Sequence, residues 1–410
     1  MHNDAQHSGE RATRLLRVVL LVFGGQIFIL HVLHYLFASG GSVFADLWYS
    51  RDFGCFYNGA RAWLAGRDPY HEFGFITPPL SLLIPALLTH LSLARATFCF
   101  LCCNLVLVPL SLWWYAGALG MHRHEKVLLM LAAALFVSAE ESVRGGNMDG
   151  LMLALMIAAF SVRRRLWGAP WLAFSIGLKL YSIVFLPVAL RRRQWRFAAL
   201  TAATLVAFLL PFHKLWPAAL LALVGRDGRY LPGSIAPATL VYSFLGEVSR
   251  ARMGLCLLFW AITFGVALYR DHERELSAHT LARYVPWMLS VPALVWSYVG
   301  VLALAVLASL VATARRRRLH RAEYCCFAGF LLLGTRVGQV TDYIPLTYDF
   351  RDHAAVVQSF GVVLMMIGMC LTPCEEVSQG EALDEAGEET AVAGYPLPDR
   401  PRQEISSTEL

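Results

Sequence analysis

The stretch Asp52-Phe-Gly-Cys-Phe-Tyr-Asn-Gly-Ala-Arg-Ala-Trp-Leu-Ala-Gly-Arg-Asp68, followed by Pro69-Tyr70, is the most informative part of this chain. It carries carboxylates, aromatic rings and arginines. It also lies just outside the first of many long apolar runs, which extends from Val18 to Ala38. A polar segment of this kind on a membrane scaffold predicts a protein that acts on a substrate at the membrane surface.

The composition places the chain in the polytopic membrane class. Of its 410 residues, 57% are hydrophobic and only 16% are charged, and the mean hydropathy is +0.53. Soluble domains carry about 25% charged residues. Several apolar runs reach the ~20 residues that a bilayer-spanning helix needs, so we expect an all-α polytopic membrane protein. The first run is too long for a cleaved signal peptide, and we interpret it as a signal anchor.

The net charge of +6 does not indicate nucleic-acid binding. The arginines form short clusters between apolar runs, which is typical of cytoplasmic loops in membrane proteins. Nine cysteines are present, but most lie within or beside apolar segments and their spacing does not match a zinc site. We therefore expect neither a disulfide framework nor a bound metal, and no cofactor.

Two arginine clusters predict a re-entrant hairpin. Arg163 to Arg165 and Arg191 to Arg193 flank the single apolar segment 166–190. If both clusters are cytoplasmic, the segment must enter the membrane and come back, with about 12 residues and about 18 Å in each arm. Such an arm is shorter than the ~30 Å hydrocarbon core. The tip, Gly177-Leu178-Lys179, would then lie at mid-depth, where non-helical backbone is tolerated only against protein or a wet cavity.

The remaining topology follows from the charges beside each apolar run. Basic residues before the first run predict a cytoplasmic N-terminus. We expect a first outer loop over about residues 39–75, with a short interfacial helix in it. Residues 76–91 and 96–119 are interpreted as two consecutive crossings. The total is about 9–12 membrane helices, and the sequence leaves the number between residues 212 and 312 open.

The end of the chain differs in composition. From Pro373 onward it is rich in glutamate and aspartate and lacks apolar periodicity. Such a composition predicts a disordered cytoplasmic tail over residues 373–410. Residues 1–372 then form one membrane catalytic domain.

Asp52 and Lys179 are the strongest candidates for chemistry. Asp52 is a carboxylate near the membrane surface, where it can act as a general base; Asp46 is the alternative. Asp52 can equally be a solvated loop residue paired with Arg51 or Arg61. Lys179 is a charge within an apolar stretch, at a cost of roughly 2.5–3.5 kcal/mol near the bilayer centre. That cost predicts a partner, either a phosphate or a buried carboxylate, unless the side chain reaches a nearby interface.

Other polar residues at the ends of apolar runs have both a structural and a functional interpretation. Glu140, Glu141 and Arg144 are consistent with a structural ion pair at the end of a span. Gly145-Gly146-Asn147 allows close approach of the backbone, although a glycine pair in a turn is a weak signal. Asp352 would hold the His353 ring in one tautomer, but an interfacial histidine is equally consistent with the sequence.

Several motifs together resemble glycosyltransferase family 87. Asp52-Phe-Gly-Cys-Phe-Tyr57 and Asp68-Pro69-Tyr70 match its opening, as does Thr77-Pro78-Pro79-Leu80. Gly146-Asn147-Met148-Asp149 lies where the family usually has Gly-Gln-Val-Asn. Gly177-Leu178-Lys179 matches a family lysine that is usually followed by proline, which is Leu180 here. Asp352-His353 resembles the acidic-histidine pair that precedes the last span.

The resemblance implies a GT-C fold and a polyprenyl-phosphate-mannose-dependent mannosyltransferase. Its acceptor would be a lipid-linked or envelope glycan, and its site would face away from the cytoplasm across the plasma membrane, with both termini cytoplasmic. Asp52 matches the position taken as the catalytic base of an inverting transfer. The residues that would bind the phosphate or the sugar of the donor are Lys179, Arg144, His353, Tyr57, Asn147 and Arg61.

Two other classes of function remain compatible with the sequence. A secondary transporter or lipid flippase would also have an intramembrane lysine and a central polar cavity. The lack of inverted repeats and the aspartate in the first outer loop favour the enzyme. A non-catalytic membrane assembly partner is the third alternative.

Overall fold

The computed structural model describes residues 2–37, 51–72, 75–162, 164–224, 234–245, 250–290, 297–336 and 350–372. Every regular element in these ranges is an α-helix or a short 3-10 helix, which confirms the all-α prediction. The α-helices are α1 (His2–Phe37), α2 (Arg51–Leu64), α3 (Leu83–Ala86), α4 (Leu93–Ala118), α5 (Arg123–Leu135), α6 (Val137–Gly145), α7 (Asp149–Ser161), α8 (Gly168–Leu178), α9 (Phe185–Arg191), α10 (Trp195–Leu209), α11 (Trp216–Val224), α12 (Ala238–Leu245), α13 (Arg250–Tyr269), α14 (Ala278–Leu289), α15 (Ala303–Arg316), α16 (Arg321–Leu333) and α17 (Phe350–Leu371).

Five segments in the described ranges are long and apolar enough to cross a membrane, which confirms a polytopic membrane protein. They are Gly9–Leu30, Leu93–Ala118, Trp195–Phe212, Ala251–Tyr269 and Val299–Arg316. Shorter apolar helices cover Asp149–Ser161, Leu180–Arg191 and Ala355–Leu371. The count of 9–12 membrane helices stays a prediction. The predicted acidic tail, residues 373–410, lies outside the described residues.

Several helix ends meet at one end of the bundle, which we call the arginine-rich end. The Arg11 side chain donates to the carbonyl of Ala314 at 3.1 Å. The Arg315 side chain donates to the carbonyl of Gly120, just after α4. Near the other terminus, Arg270 donates to the carbonyl of Cys370 at 2.7 Å. Because Tyr115 near the end of α4 also donates to the carbonyl of Ala278 at the start of α14, the start of α1 and the ends of α4, α13, α15 and α17 lie on the same side.

The segment between the two arginine clusters doubles back, as the sequence predicted. Arg165, before α8, and Arg192, after α9, both contact Glu275 at the arginine-rich end. At the other end of the hairpin, the hydroxyls of Ser175 and Ser182 are 2.7 Å apart. The hairpin therefore begins and ends on the same side of the bundle, and its tip points into the opposite half.

A buried ion pair anchors the base of this hairpin. The side chains of Arg192 and Asp271 are fully buried, and their charged atoms are 2.8 Å apart. Glu273 adds a second carboxylate at 2.7 Å from Arg192, and the Tyr284 hydroxyl donates to Asp271 at 2.6 Å. Because each buried charge has a charged partner, the base is held to the segment between α13 and α14.

Helix α2 lies on the bundle through one apolar face. Phe53, Phe56, Tyr57 and Ala60 recur at helical spacing and are all buried. The Phe53 ring stacks on Phe100 of α4 with 4.7 Å between centroids. The same buried cluster includes Met148 and Leu178. The start of α2 is thereby brought next to the start of α7 and the tip of the hairpin.

The interpretation of residues 76–91 as a crossing is wrong. This segment contains only the 3-10 turn Pro79–Leu82 and the four-residue helix α3, because prolines 78, 79 and 85 interrupt helical hydrogen bonding. The Tyr57 hydroxyl also donates to the carbonyl of Leu91 at 2.6 Å, which keeps the end of the segment beside α2. The crossing toward the arginine-rich end is made by α4 alone.

Candidate functional site

Four polar side chains from three separate segments meet at the hairpin tip, and we call them the quartet: Asp52, Asn147, Asp149 and Lys179. The Asn147 amide nitrogen donates to Asp52 Oδ2 at 2.8 Å. The Lys179 ammonium donates to Asn147 Oδ1 at 2.7 Å. It also lies 2.9 Å from Oδ1 and 2.8 Å from Oδ2 of Asp149. The sequence candidates Asp52, Asn147 and Lys179 are thus brought into one connected network.

The backbone before α7 fixes the position of Asn147. Helix α6 ends at Gly146, whose φ of 64° and ψ of 38° lie in the left-handed region that favours glycine. The Asn147 backbone N–H then donates to the carbonyl of Ser142 at 3.1 Å. Its side-chain Oδ1 accepts from the Met148 N–H at 2.8 Å as well as from Lys179. With two donors on Oδ1, the amide nitrogen must face Asp52.

A break in the hairpin fixes the position of Lys179. Helix α8 ends before it, and Lys179 has an extended backbone, with φ of −148° and ψ of 127°. Two residues earlier, Gly177 packs directly on the side chain of Leu80 from the Thr77-Pro78-Pro79-Leu80 motif. A Cβ at Gly177 would lie 2.3 Å from Leu80 Cδ2. Two motifs that are distant in sequence therefore meet at the tip, and no side chain fits between them.

Burial differs across the quartet. Asp149 is fully buried, and Lys179 and Asn147 are nearly so, at 7% and 2% exposure. Asp52 is only half-buried. A buried ammonium is costly to desolvate unless it is paired and hydrogen-bonded, and Asp149 supplies both. Asp52 is thus the more accessible carboxylate of the two, which suits contact with a substrate.

The loop after α2 is held in place by its own motif. The Asp68 side chain accepts from the Tyr70 backbone N–H at 2.9 Å, and the Tyr70 hydroxyl donates to the carbonyl of Thr77 at 2.9 Å. Burial, with the Asp68 charge adding to it, raises the pKa of Tyr70 above its ordinary value. Tyr70 therefore stays a neutral hydrogen-bond donor, and its role in this loop is structural.

Two other predicted site residues make contacts outside the quartet. Tyr57 is buried and donates to the carbonyl of Leu91, so its hydroxyl has a structural partner. Arg61 is exposed, with its guanidinium carbon 6.0 Å from the centre of the Tyr57 ring. Their proposed contacts with a sugar or phosphate remain predictions.

For the remaining candidates, the structure does not describe the side chains. Asp46 is outside the described residues. Arg144 lies in α6 and His353 lies in α17, but their side chains are outside the described part. Glu140 pairs with Arg336 at 2.6 Å, and the expected ion pair with Arg144 stays a prediction.

Asp149 is the site residue that the sequence analysis did not single out. The cost of immersing Lys179 predicted a buried carboxylate as one of two possible partners. Asp149 is part of the quoted motif and starts an apolar stretch. Combining these two observations would have identified it. Within the described ranges, no group of three or more His, Cys, Asp or Glu side chains is arranged to hold a metal ion.

The fold and the site define a polytopic helical membrane protein with a charged network at the tip of this hairpin. The sequence model of glycosyltransferase family 87 matches residues 75–335, which is more than half of the chain. The chain belongs to this family and is a membrane glycosyltransferase. The matched range includes Asn147, Asp149 and Lys179, whereas Asp52 lies before it. No curated protein matches the chain.

Proposed function

We propose that this protein transfers a sugar, mannose in the first instance, from a polyprenyl-phosphate donor to a hydroxyl group of a lipid-linked or envelope glycan. The transfer inverts the configuration at the anomeric carbon, with Asp52 as the general base. The observation that carries the proposal is the half-buried carboxylate of Asp52, held by Asn147 beside an almost buried ammonium group.

The chemistry requires a base more than an acid. A phosphate ester is a good leaving group, so its oxygen needs no proton as it departs. The acceptor hydroxyl is a poor nucleophile, and Asp52 takes its proton as the oxygen attacks the anomeric carbon. The bond between that carbon and the phosphate oxygen breaks in the same step. Negative charge then develops on the phosphate, and a fixed cation stabilises it.

Two further quartet residues, Asn147 and Lys179, have roles in this scheme. Asn147 positions Asp52 through the 2.8 Å hydrogen bond from its amide nitrogen. Lys179 is the proposed cation for the donor phosphate, with Arg144 and His353 as further phosphate contacts. Arg61 is proposed to act on the sugar side of the donor, whereas the Tyr57 hydroxyl keeps its structural partner, the carbonyl of Leu91. The apolar spans accommodate the prenyl chain, which is why this reaction takes place in a bilayer.

The proposed orientation follows from the positive-inside rule. The arginine-rich end carries clustered cations and would face the cytoplasm. The quartet lies at the far end of a hairpin that starts and finishes among those arginines, so the reaction would take place on the non-cytoplasmic side. The proposed location is the plasma membrane, and the partners are the lipid-linked donor, the glycan acceptor and membrane lipids.

Asp52→Asn tests the base directly. The amide preserves the size of the side chain but cannot take a proton, so transfer should be lost while the protein stays monodisperse with unchanged helix content. Asp68→Asn is the matched control, because it makes the same change at a nearby carboxylate, in the loop after α2, that caps Tyr70. Full transfer by Asp52→Asn would remove Asp52 from the mechanism.

Membership of a glycosyltransferase family favours the enzyme over the transporter or flippase alternative. A radiolabelled sugar distinguishes the two activities in reconstituted vesicles. An enzyme attaches the label covalently to a lipid or glycan product. Movement of the label across the vesicle without a new product would support the transporter instead.

A further inference from the structure

The ammonium group of Lys179 is fully engaged within the protein. A lysine ammonium has three N–H donors. Among the described residues, Asn147 Oδ1 and both carboxylate oxygens of Asp149 lie within hydrogen-bond distance of Nζ. An incoming phosphate can therefore bind Lys179 only by replacing one of its present partners.

Asp149 is the acceptor that a phosphate resembles. Its carboxylate presents two oxygens to the ammonium, at 2.8 and 2.9 Å, in the way that two phosphate oxygens would. We propose that Asp149 occupies the place on Lys179 that the donor phosphate takes, so that donor binding is an exchange of anions at this ammonium. The inference rests on the proposed function and adds to it a residue that controls affinity for the donor.

The differences in burial and backbone indicate which partner moves. The Asp149 side chain has no exposed surface, whereas that of Lys179 is 9% exposed. Asp149 is also the first residue of α7, where the helix dipole favours a negative charge. The helix dipole therefore continues to stabilise the carboxylate in part when the ammonium leaves. Lys179 has a long side chain on an extended residue at a helix break, so it is the group that turns toward the donor.

The hydrogen bonds of Asn147 keep the base in place during the exchange. When Lys179 turns away, Asn147 Oδ1 still accepts from the Met148 N–H at 2.8 Å. The amide nitrogen therefore continues to face Asp52. Donor binding is in this way separated from the orientation of the base.

The formal charges of the quartet give the sign of the expected effect. Two carboxylates and one ammonium sum to −1 + −1 + 1 = −1, which opposes an anionic donor. In Asp149→Asn the sum becomes zero, and Lys179 loses its anionic competitor. Asp52 remains as a counter-charge for the ammonium, through Asn147. The dissociation constant for the donor should therefore fall by about tenfold or more.

The experiment measures binding of a short-chain polyprenyl phosphate to purified protein in detergent, together with the KM for synthetic polyprenyl-phosphate mannose. Both constants should fall in Asp149→Asn. Glu140→Gln is the matched control, because it removes a carboxylate charge at the same end of the bundle from a residue that pairs with Arg336. An equal fall in Glu140→Gln would attribute the effect to the general field and overturn the exchange.

The other outcomes separate this inference from the proposed function. If wild-type protein binds polyprenyl phosphate and Asp149→Asn binds it equally or more weakly, the exchange is overturned and the donor class stands. If neither protein binds it, both the exchange and the donor class are overturned. Loss of transfer in Asp52→Asn bears on the base alone.

A measurement on the wild-type protein covers the case in which Asp149→Asn does not fold. Infrared difference spectra recorded on addition of polyprenyl phosphate should contain a shifted carboxylate stretching band, because Asp149 loses its ammonium partner. The shift should persist in the Asp52→Asn variant. A carboxylate region without change in either protein would overturn the exchange.

Discussion

Gly177 lies where the hairpin tip contacts the Leu80 side chain. Gly177→Ala should shift the tip and so displace Lys179 from its position in the quartet. The added Cβ would meet Leu80 Cδ2 at 2.3 Å, whereas ordinary contacts begin at 3.4 Å. The shortfall is 3.4 − 2.3 = 1.1 Å, and the neighbours are buried, so the tip or Leu80 must shift. Such overpacking should lower the free energy of unfolding by about 1–3 kcal/mol.

The same substitution should also reduce activity. Lys179 is two residues from Gly177 and bonds Asn147 at 2.7 Å, so a shift of about 1 Å at the tip breaks this hydrogen bond. Misplacement on this scale costs up to about 100-fold in rate. The assays are thermal unfolding in detergent and the initial rate of sugar transfer. Gly25→Ala is the matched control, since its Cβ would have no atom within 4 Å.

A second substitution provides the decisive comparison. Leu80→Val shortens the side chain that the new Cβ meets, at a cost of about 0.5–1.5 kcal/mol by itself. In the double variant Gly177→Ala/Leu80→Val, the loss of stability should be smaller than the sum of the two single losses. Additive losses to within about 0.5 kcal/mol would refute the reasoning, because they would show that the two side chains do not interact.

Two further substitutions test the supports of the site. Arg192→Met leaves the fully buried Asp271 without its arginine and should lower the free energy of unfolding by about 3–5 kcal/mol. In thermal unfolding, the double variant Arg192→Met/Asp271→Leu should recover most of this loss. No recovery in the double variant would contradict a buried ion pair. Tyr57→Phe removes the hydrogen bond to Leu91 and should lower the free energy of unfolding by about 0.5–1.5 kcal/mol, with little change in kcat. A large fall in kcat with unchanged stability would instead support a role of Tyr57 in binding the sugar.

The arginine clusters allowed the hairpin to be predicted because their argument depends only on chain length and charge. Arg165 and Arg192 both reach Glu275, so the two flanks lie together as required. Lys179 at the tip could also be identified from the sequence, because a single charged residue stands out within an apolar segment. Asp52 was found from its place in the loop and from family resemblance.

Other features depend on contacts that no local pattern specifies. Residues 76–91 are apolar enough to be mistaken for a span, and only their contacts with α2 and with Gly177 show that they remain at one end. The choice between Asp149 and a phosphate as the partner of Lys179 required the distance between two segments 30 residues apart. Similarly, the partner of Glu140 is Arg336, which is far away in sequence.

The anchored base of the hairpin fixes how far the Lys179 ammonium lies from the arginine-rich end. Both arms are tied to the same segment at the arginine-rich end, so their length alone fixes the height of Lys179 above it. With 11 residues in α8, the rising arm spans about 16 Å. Each extra helical turn in both arms would raise the ammonium group by about 5 Å. Arm length therefore sets the level of the Lys179 ammonium within the bundle.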